Sequence, residues 1–318
     1  MNEILGPVDS PIMLRSELLA AGHSDRDLSR LVRAGILRRV RRGAYVDAKA
    51  WTEASSDERH MLVAHAVVKQ GQTRLVVSHA SALPFFGAPT WGMCLDDVHV
   101  SRLDARCGRK ERGVRQHRGV LLDSDVTRRI GLETTSGTKT ALDVTRCAGM
   151  EASLVAVNHL LRFGFTTVDD MRERYVAMAN DPFTLKTDLV LRLVDPRPES
   201  VGEVRTMFLL YRGGVPSPVP QYEIYDDRGE LIARLDFAWP ELGVWLEFDG
   251  REKYVKHRRD GESVIDAVLR EKQRESMITE LTGWRCIRIT WADLERPGAT
   301  VARIVAMLGV ATCVPSFT

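Results

Sequence analysis

Asp236, Glu247 and Asp249 are the residues whose types and spacing point most directly to chemistry. They lie in RLDFAWPELGVWLEFDGREKY, from Arg234 to Tyr254, which reads as a β-hairpin turned at Pro240 and Gly243. On the second strand Val244, Leu246 and Phe248 alternate with Trp245, Glu247 and Asp249, so a period of two sends both carboxylates to one face. On the first strand Leu235 and Phe237 alternate with Arg234, Asp236 and Ala238, which lets Asp236 share the face of Glu247. Carboxylates gathered on adjacent strands repel one another. They become favourable around a hard divalent cation, which takes oxygen ligands. Mg²⁺ or Mn²⁺ held there would lower the pKa of a bound water and polarise a phosphate, the two tasks of metal-assisted phosphodiester hydrolysis. The competing reading is of strand-end carboxylates solvated at a sheet edge, with Arg251 and Lys253 as surface partners.

The flanking segments supply the elements that would position such a site. PRPESVGEVRTMFLLYRGG predicts a helix with Val204, Phe208 and Tyr211 toward the core, a stop at Gly213–Gly214, and Glu203 near its start, within reach of the site. DAVLREKQRESMITELTG predicts a second helix ended by Gly283, and WRCIRITW a strand after it. From about Glu199 to Leu308 these residues resemble the PD-(D/E)XK nuclease superfamily, in particular its very-short-patch-repair-like branch. The resemblance implies a restriction-endonuclease-like α/β domain. It also implies a catalytic set of Glu203, Asp236 and Glu247; on the reading of the strands above, Asp236 and Glu247 are the expected metal ligands and Asp249 an assisting carboxylate. The sequence departs from the motif at one position. Glu-x-Lys is expected, whereas Glu247-Phe248-Asp249 stands here, so the positive charge would have to come from Lys253 or from Lys272 on the helix.

Composition restricts the alternatives. The chain has 318 residues, enough for two or three domains, and 44% hydrophobic and 28% charged content describes a globular protein without a disorder signature. A net charge of only +2 means that affinity for nucleic acid must come from local patches. Cys94, Cys107, Cys147, Cys286 and Cys313 are odd in number and scattered, which argues against a disulfide framework or a structural zinc site. MNEILGPVDS has no apolar leader-like core, and no apolar run reaches membrane-spanning length, so a cytoplasmic protein without a membrane partner is expected.

Such a patch lies near the start. PIMLRSELLAAG predicts a short helix with Leu14, Leu18 and Leu19 on one face. Ser24 can cap a second helix, with Asp27 three residues on, whose buried stripe is Leu28, Leu31 and Val32 and whose opposite face carries Arg26, Ser29, Arg30 and Arg33. ILRRVRRGAYV then predicts two strands around Arg41, Arg42 and Gly43. Between Arg26 and Arg42 seven arginines (Arg26, Arg30, Arg33, Arg38, Arg39, Arg41 and Arg42) face one acid, Asp27. A charge run is usually a solvated face. Here the arginines fall on the helix and hairpin that meet duplex DNA in a winged helix-turn-helix, and guanidinium suits both phosphate and guanine. The module resembles the N-terminal domain of AbiEi-type antitoxins. Order-preserving likeness continues through VVSHASALPFFGAPTWG, DDVHVSR, GVRQHRG and GLETTSGTKTALDVTR to about residue 190. That likeness implies operator binding and autorepression, with a cognate toxin or operon partner.

In the middle, helices are expected at 56–70, 78–86, 138–147, 151–162 and 167–178, and strands at 97–101 and 114–118. Ser78 reads as the N-cap of the helix from His79 and Thr138 as the cap of the next. GLETTSGTKT fails as a phosphate loop because Thr138 separates Gly137 from Lys139. The expected plan is an α+β multidomain protein: a winged helix-turn-helix at 1–50, a helical-rich middle at 51–195, and the nuclease-like domain at 196–318. Its expected function is Mg²⁺-dependent cleavage of double-stranded DNA directed by the winged helix. The rival is a non-enzymatic repressor or antitoxin whose nuclease-like domain is a degenerate scaffold.

Overall fold

Ser24 starts the second helix as its type and spacing require. Its hydroxyl accepts from the amide of Asp27 at 3.2 Å, and the Asp27 carboxylate accepts from the amide of Ser24 at 2.9 Å, a reciprocal capping box. The computed structural model describes residues 12–102, 110–111, 113–118, 121–178, 185–250 and 264–310. They fall into two compact units, one up to Val194 and one from Asp195.

The first unit opens with β1 (Met13–Leu14), α1 (Arg15–Ala20), α2 (Asp25–Arg33), β2 (Leu37–Arg41) and β3 (Ala44–Asp47). Their antiparallel sheet runs in the order β1-β3-β2, the strand order of a winged helix. Arg41 pairs with Ala44 across a two-residue turn, which Gly43 permits with φ +75. Leu28 packs with Leu37 and Tyr45, flanked by Met13, Leu18 and Leu31. Two expectations fail here. Leu14 belongs to the short strand that precedes α1, and Val32 is 36% exposed because the small sheet covers only one side of α2.

After α3 (Ala48–Glu53) comes α4 (Ser56–Gln70), which is buried nearly all round. Leu62 and Ala66 join Ile12, Ala44 and Val46 of the winged helix. Met61, Ala64 and Val67 join a second core on a six-stranded sheet. The strands are β4 (Leu75–Val77), β5 (Val98–Arg102), β6 (Lys110–Glu111), β7 (Val114–His117), β8 (Val126–Arg129) and β9 (Leu132–Thr135), in the order β6-β7-β5-β4-β9-β8. A 3-10 helix, His79–Phe86, follows β4. Around the sheet lie α5 (Gly137–Cys147), α6 (Met150–Arg162), α7 (Val168–Val176) and α8 (Leu185–Leu193). The middle is rich in helix, as expected, but it also holds a mixed six-stranded sheet of which only two strands were expected. The expected helices and strands are present, but β4, β8 and β9 are three or four residues long, too short for period-two patterning to register. The cap assignments also change. Ser136, not Thr138, receives the Lys139 amide, and Ser78 makes no capping bond.

The second unit comprises α9 (Val201–Arg212), β10 (Val219–Tyr225), β11 (Leu231–Trp239), β12 (Val244–Asp249), α10 (Val264–Thr282), β13 (Arg285–Thr290), α11 (Trp291–Leu294) and α12 (Pro297–Leu308). The sheet order is β10-β11-β12-β13, antiparallel except for the parallel β12–β13 pair that α10 connects. One face packs Phe237, Leu246, Phe248 and Ile289 against Leu209, Leu210 and Ile304. The other packs Leu235, Ala238 and Trp245 against Ile278. Gly202 lets α9 approach β12, since a Cβ there would lie 2.0 Å from Phe248 Cε1. On α9 Val204 is buried as expected, but Leu209 and Leu210 are the next inward apolar residues, while Phe208 and Tyr211 are half-buried. Strand β10 was not expected. Among the described residues no helix is long and apolar enough to cross a membrane.

Candidate functional site

Two surfaces carry the residues singled out by sequence. On α2, Arg26, Arg30 and Arg33 are exposed, as are Arg38 and Arg39 on β2 and Arg42 in the turn, while Arg41 is half-buried. The acids at the start of α2 are engaged locally. Asp25 takes a two-pronged bond from Arg15 at 2.7 and 2.5 Å, and Asp27 holds the cap and accepts from Arg30 at 2.7 Å. The hydroxyl and amide of Ser24 hold the Asp27 carboxyl below its ordinary pKa, so it stays an anion. Arg33 donates to the Ser29 carbonyl at 3.2 Å, and the Arg38 guanidinium lies 5.9 Å from the Trp51 ring. The result is a basic face spread over α2 and the β2–β3 turn, on the elements that enter or flank the major groove in this plan.

In the second unit the register Phe237↔Leu246, carried on by one residue, sets Asp236 opposite Glu247. The route differs from simple alternation. Leu235 and Phe237 pack into different cores, and opposite them, between the Pro220↔Phe237 and Tyr222↔Leu235 rungs, Gln221 has φ +54. Positive φ at a non-glycine residue costs energy and persists where the surroundings enforce it. The enforcing partner is Glu203. Its carboxylate accepts from Gln221 Nε2 at 2.9 Å, the Glu199 amide at 2.8 Å and the Ser200 hydroxyl at 2.7 Å. Glu203 thus fixes the strand residue beside Asp236.

Asp236 Oδ2 accepts from the Phe248 amide at 2.9 Å, which ties β11 to β12. Glu247 Oε1 accepts from Arg274 Nη2 at 3.2 Å, and the same nitrogen donates to the Arg234 carbonyl at 2.7 Å. Arg274 is the residue that sequence reading missed. It stands one turn before Ile278 on α10, the helix covering this face, so the i, i+4 spacing was the available signal. Lys272 is exposed, and Lys253 and Arg251 lie outside the described residues. Asp249 is half-buried at the end of β12, next to Thr290 in register. Among the described residues, Asp236, Glu247 and Asp249 do not form a close three-ligand group; the cluster that does is His79, His99 and His117 in the first unit.

Comparison with known proteins bears on the first surface. Residues 12–46, from the residue before β1 almost to the end of β3, match the family described as "Transcriptional regulator, AbiEi antitoxin". Two relatives from Mycobacterium tuberculosis, "Uncharacterized protein MT2308" (strain CDC 1551 / Oshkosh) and "Uncharacterized protein Rv2248" (strain ATCC 25618 / H37Rv), are each 32% identical over 120 residues. That stretch is 37% of this chain and 41% of each relative, so the match spans about two fifths of their length.

Proposed function

We propose that this chain is a DNA-binding transcriptional regulator of the AbiEi antitoxin type, which lays α2 in the major groove of an operator and grips the flanking phosphates with the β2–β3 turn. The observation that carries this reading is the exposed arginine face of a capped helix, inside the segment that matches the regulator family. Phosphate contacts from the turn supply affinity, and side chains of α2 supply base selection. With about four phosphates neutralised, log K falls against log[salt] with a slope of roughly −3.6. In gel-shift or anisotropy titrations of the full chain, replacing Arg30, Arg33, Arg41 and Arg42 together by alanine lowers duplex affinity by about 100-fold or more. Unchanged affinity in that variant refutes the reading. In its cellular setting the regulator would work with a cognate toxin or operon partner.

A second reading, that the C-terminal unit also cleaves DNA, is favoured by one arrangement: two carboxylates on adjacent strands with a guanidinium beside them. Asp236 and Glu247 offer the hard oxygens that Mg²⁺ or Mn²⁺ takes alongside water and phosphate, and Arg274 could fill the place of the missing lysine. The cation would activate water and polarise the phosphate, while Arg274 would offset the charge that develops on the phosphate oxygens. Incubation of plasmid with the protein and Mg²⁺ or Mn²⁺, against Asp236→Asn, decides it. Absence of cutting by the wild-type chain leaves the regulator alone.

A further inference from the structure

The six-stranded sheet of the first unit is apolar on one face only. Val77, Val98, Val100 and Val114 pack toward α4, while His99 and Ser101 on β5 and His117 on β7 point the other way. Ser78 and His79, at the end of β4, join them. From α5, Lys139 and Asp143 close the layer as a buried ion pair. Ser78 stands at the N-cap position of the 3-10 helix, as expected, but its side chain makes no capping bond. Its hydroxyl meets His79 Nδ1 at 3.0 Å and the Ser101 hydroxyl at 2.9 Å, and its amide donates to the His99 carbonyl.

Such a layer is costly to bury, and apolar residues of similar volume would pack more stably. Three further features set it apart from a merely satisfied polar core. His79 holds φ +54 at the strand-to-helix junction, a strain that tends to persist at functional sites. Asp143, with no exposed surface, leaves Oδ2 without a hydrogen-bond partner, 3.7 Å from His79 Nδ1. The rings of His79, His99 and His117 converge. His99 Nδ1 and His117 Nε2 are 3.0 Å apart, His79 stacks on His117, and one nitrogen from each of the three lies within 4.8 Å of the others.

We infer that His79, His99 and His117 form a binding site for a borderline transition-metal ion of the zinc class, with Asp143 orienting His79 from behind. Three imidazoles with an open fourth position is the donor set of catalytic rather than structural zinc sites. A carboxylate behind a ligating histidine helps to orient it; His79 Nδ1 meets the Ser78 hydroxyl at 3.0 Å with Asp143 Oδ2 behind it at 3.7 Å, which leaves Nε2 for the ion. The imidazoles are held neutral and so ready to ligate. Burial pushes His99 down to about 4 and His117 to about 2, and it drives His79 well below its ordinary value. The surrounding cations Lys139, Arg115 and Arg146 add to this lowering. They disfavour hard ions held by charge alone, which selects zinc, cobalt, nickel or copper over magnesium or calcium. They also favour an anionic occupant of the fourth position. Stacked as they stand, the His79 and His117 rings must splay on loading.

The test uses the full chain, stripped with chelator and reloaded with Co²⁺ or Zn²⁺. The expected result is one ion per chain by elemental analysis, retained in excess Mg²⁺, and a ligand-field spectrum of four-coordinate cobalt. His117→Ala, in the half-buried ligand, abolishes that spectrum while leaving apo-protein melting near the wild type. Asp143→Asn weakens zinc by about tenfold to 100-fold. A double variant of the second unit, Asp236→Asn with Glu247→Gln, keeps the spectrum. X-ray absorption of the wild-type zinc form, which needs no variant to fold, shows a first shell with at least three imidazoles. No retained ion, a shell dominated by sulfur or carboxylate oxygen, or a cobalt spectrum that survives His117→Ala overturns the proposal. So does phosphate binding by an apo-protein that takes up no metal.

Discussion

On α2 the guanidinium groups of Arg26, Arg30 and Arg33 stand in solvent, whereas the C-terminal unit draws its candidate acids inside, with Glu203 2%, Asp236 8% and Glu247 6% exposed. The head folds on Leu28, Leu37 and Tyr45, and its basic face adds little to that core. The carboxylates, by contrast, are structural members: Asp236 pins β12, Glu203 pins Gln221, and Glu247 holds Arg274 of α10. Charge kept outside is available for a partner at no cost to the fold. Charge kept inside must serve the fold first, and any chemistry there works with groups already committed to one another.

Three substitutions can break or sharpen this contrast. Glu203→Ala should have the largest effect, about 3 kcal/mol lost from the second unit, because it leaves three part-buried donors unpaired and Gln221 strained without its anchor. Denaturant titration followed by tryptophan fluorescence measures this, and a loss under about 1 kcal/mol would mean that the inner carboxylate is dispensable. Ser24→Ala should cost the head about 1 kcal/mol through the lost cap. Arg33→Ala should change stability by less than about 0.5 kcal/mol while weakening duplex binding, as expected of a side chain with no buried role. A destabilising effect of Arg33→Ala as large as that of Glu203→Ala would erase the distinction.

The same contrast explains what could be read from the chain. The head was legible because its signals are local: a cap three residues from its acid, an arginine run, a glycine at a two-residue turn. The hairpin with Asp236 and Glu247 was legible from strand alternation and a Pro-Gly turn. Arg274 was not, because only the parallel pairing of β12 with β13 brings α10 over that face. The positive φ of Gln221 was invisible as well, since the carboxylate it bonds to lies 18 residues upstream in Glu203. The middle sheet escaped for a third reason. Its strands are brief, and one of its faces is polar although buried, so hydrophobic patterning misreports what lies inside.

Helix α4 has a consequence for how this chain can be cut and joined. Lys69 donates to the Ile12 carbonyl at 2.7 Å and pairs with Glu17, and Gln70 donates to the Arg42 carbonyl at 2.8 Å, so the end of α4 clasps the base of the turn that α2 relies on. The opposite side of the same helix is the floor of the mixed sheet. A recombination joint or tag placed between Asp47 and Ser56 would part the reading head from the helix that completes its core. Exchange of specificity between relatives should therefore proceed by substitutions on the outer face of α2, with the joint between transplanted segments falling beyond Gln70.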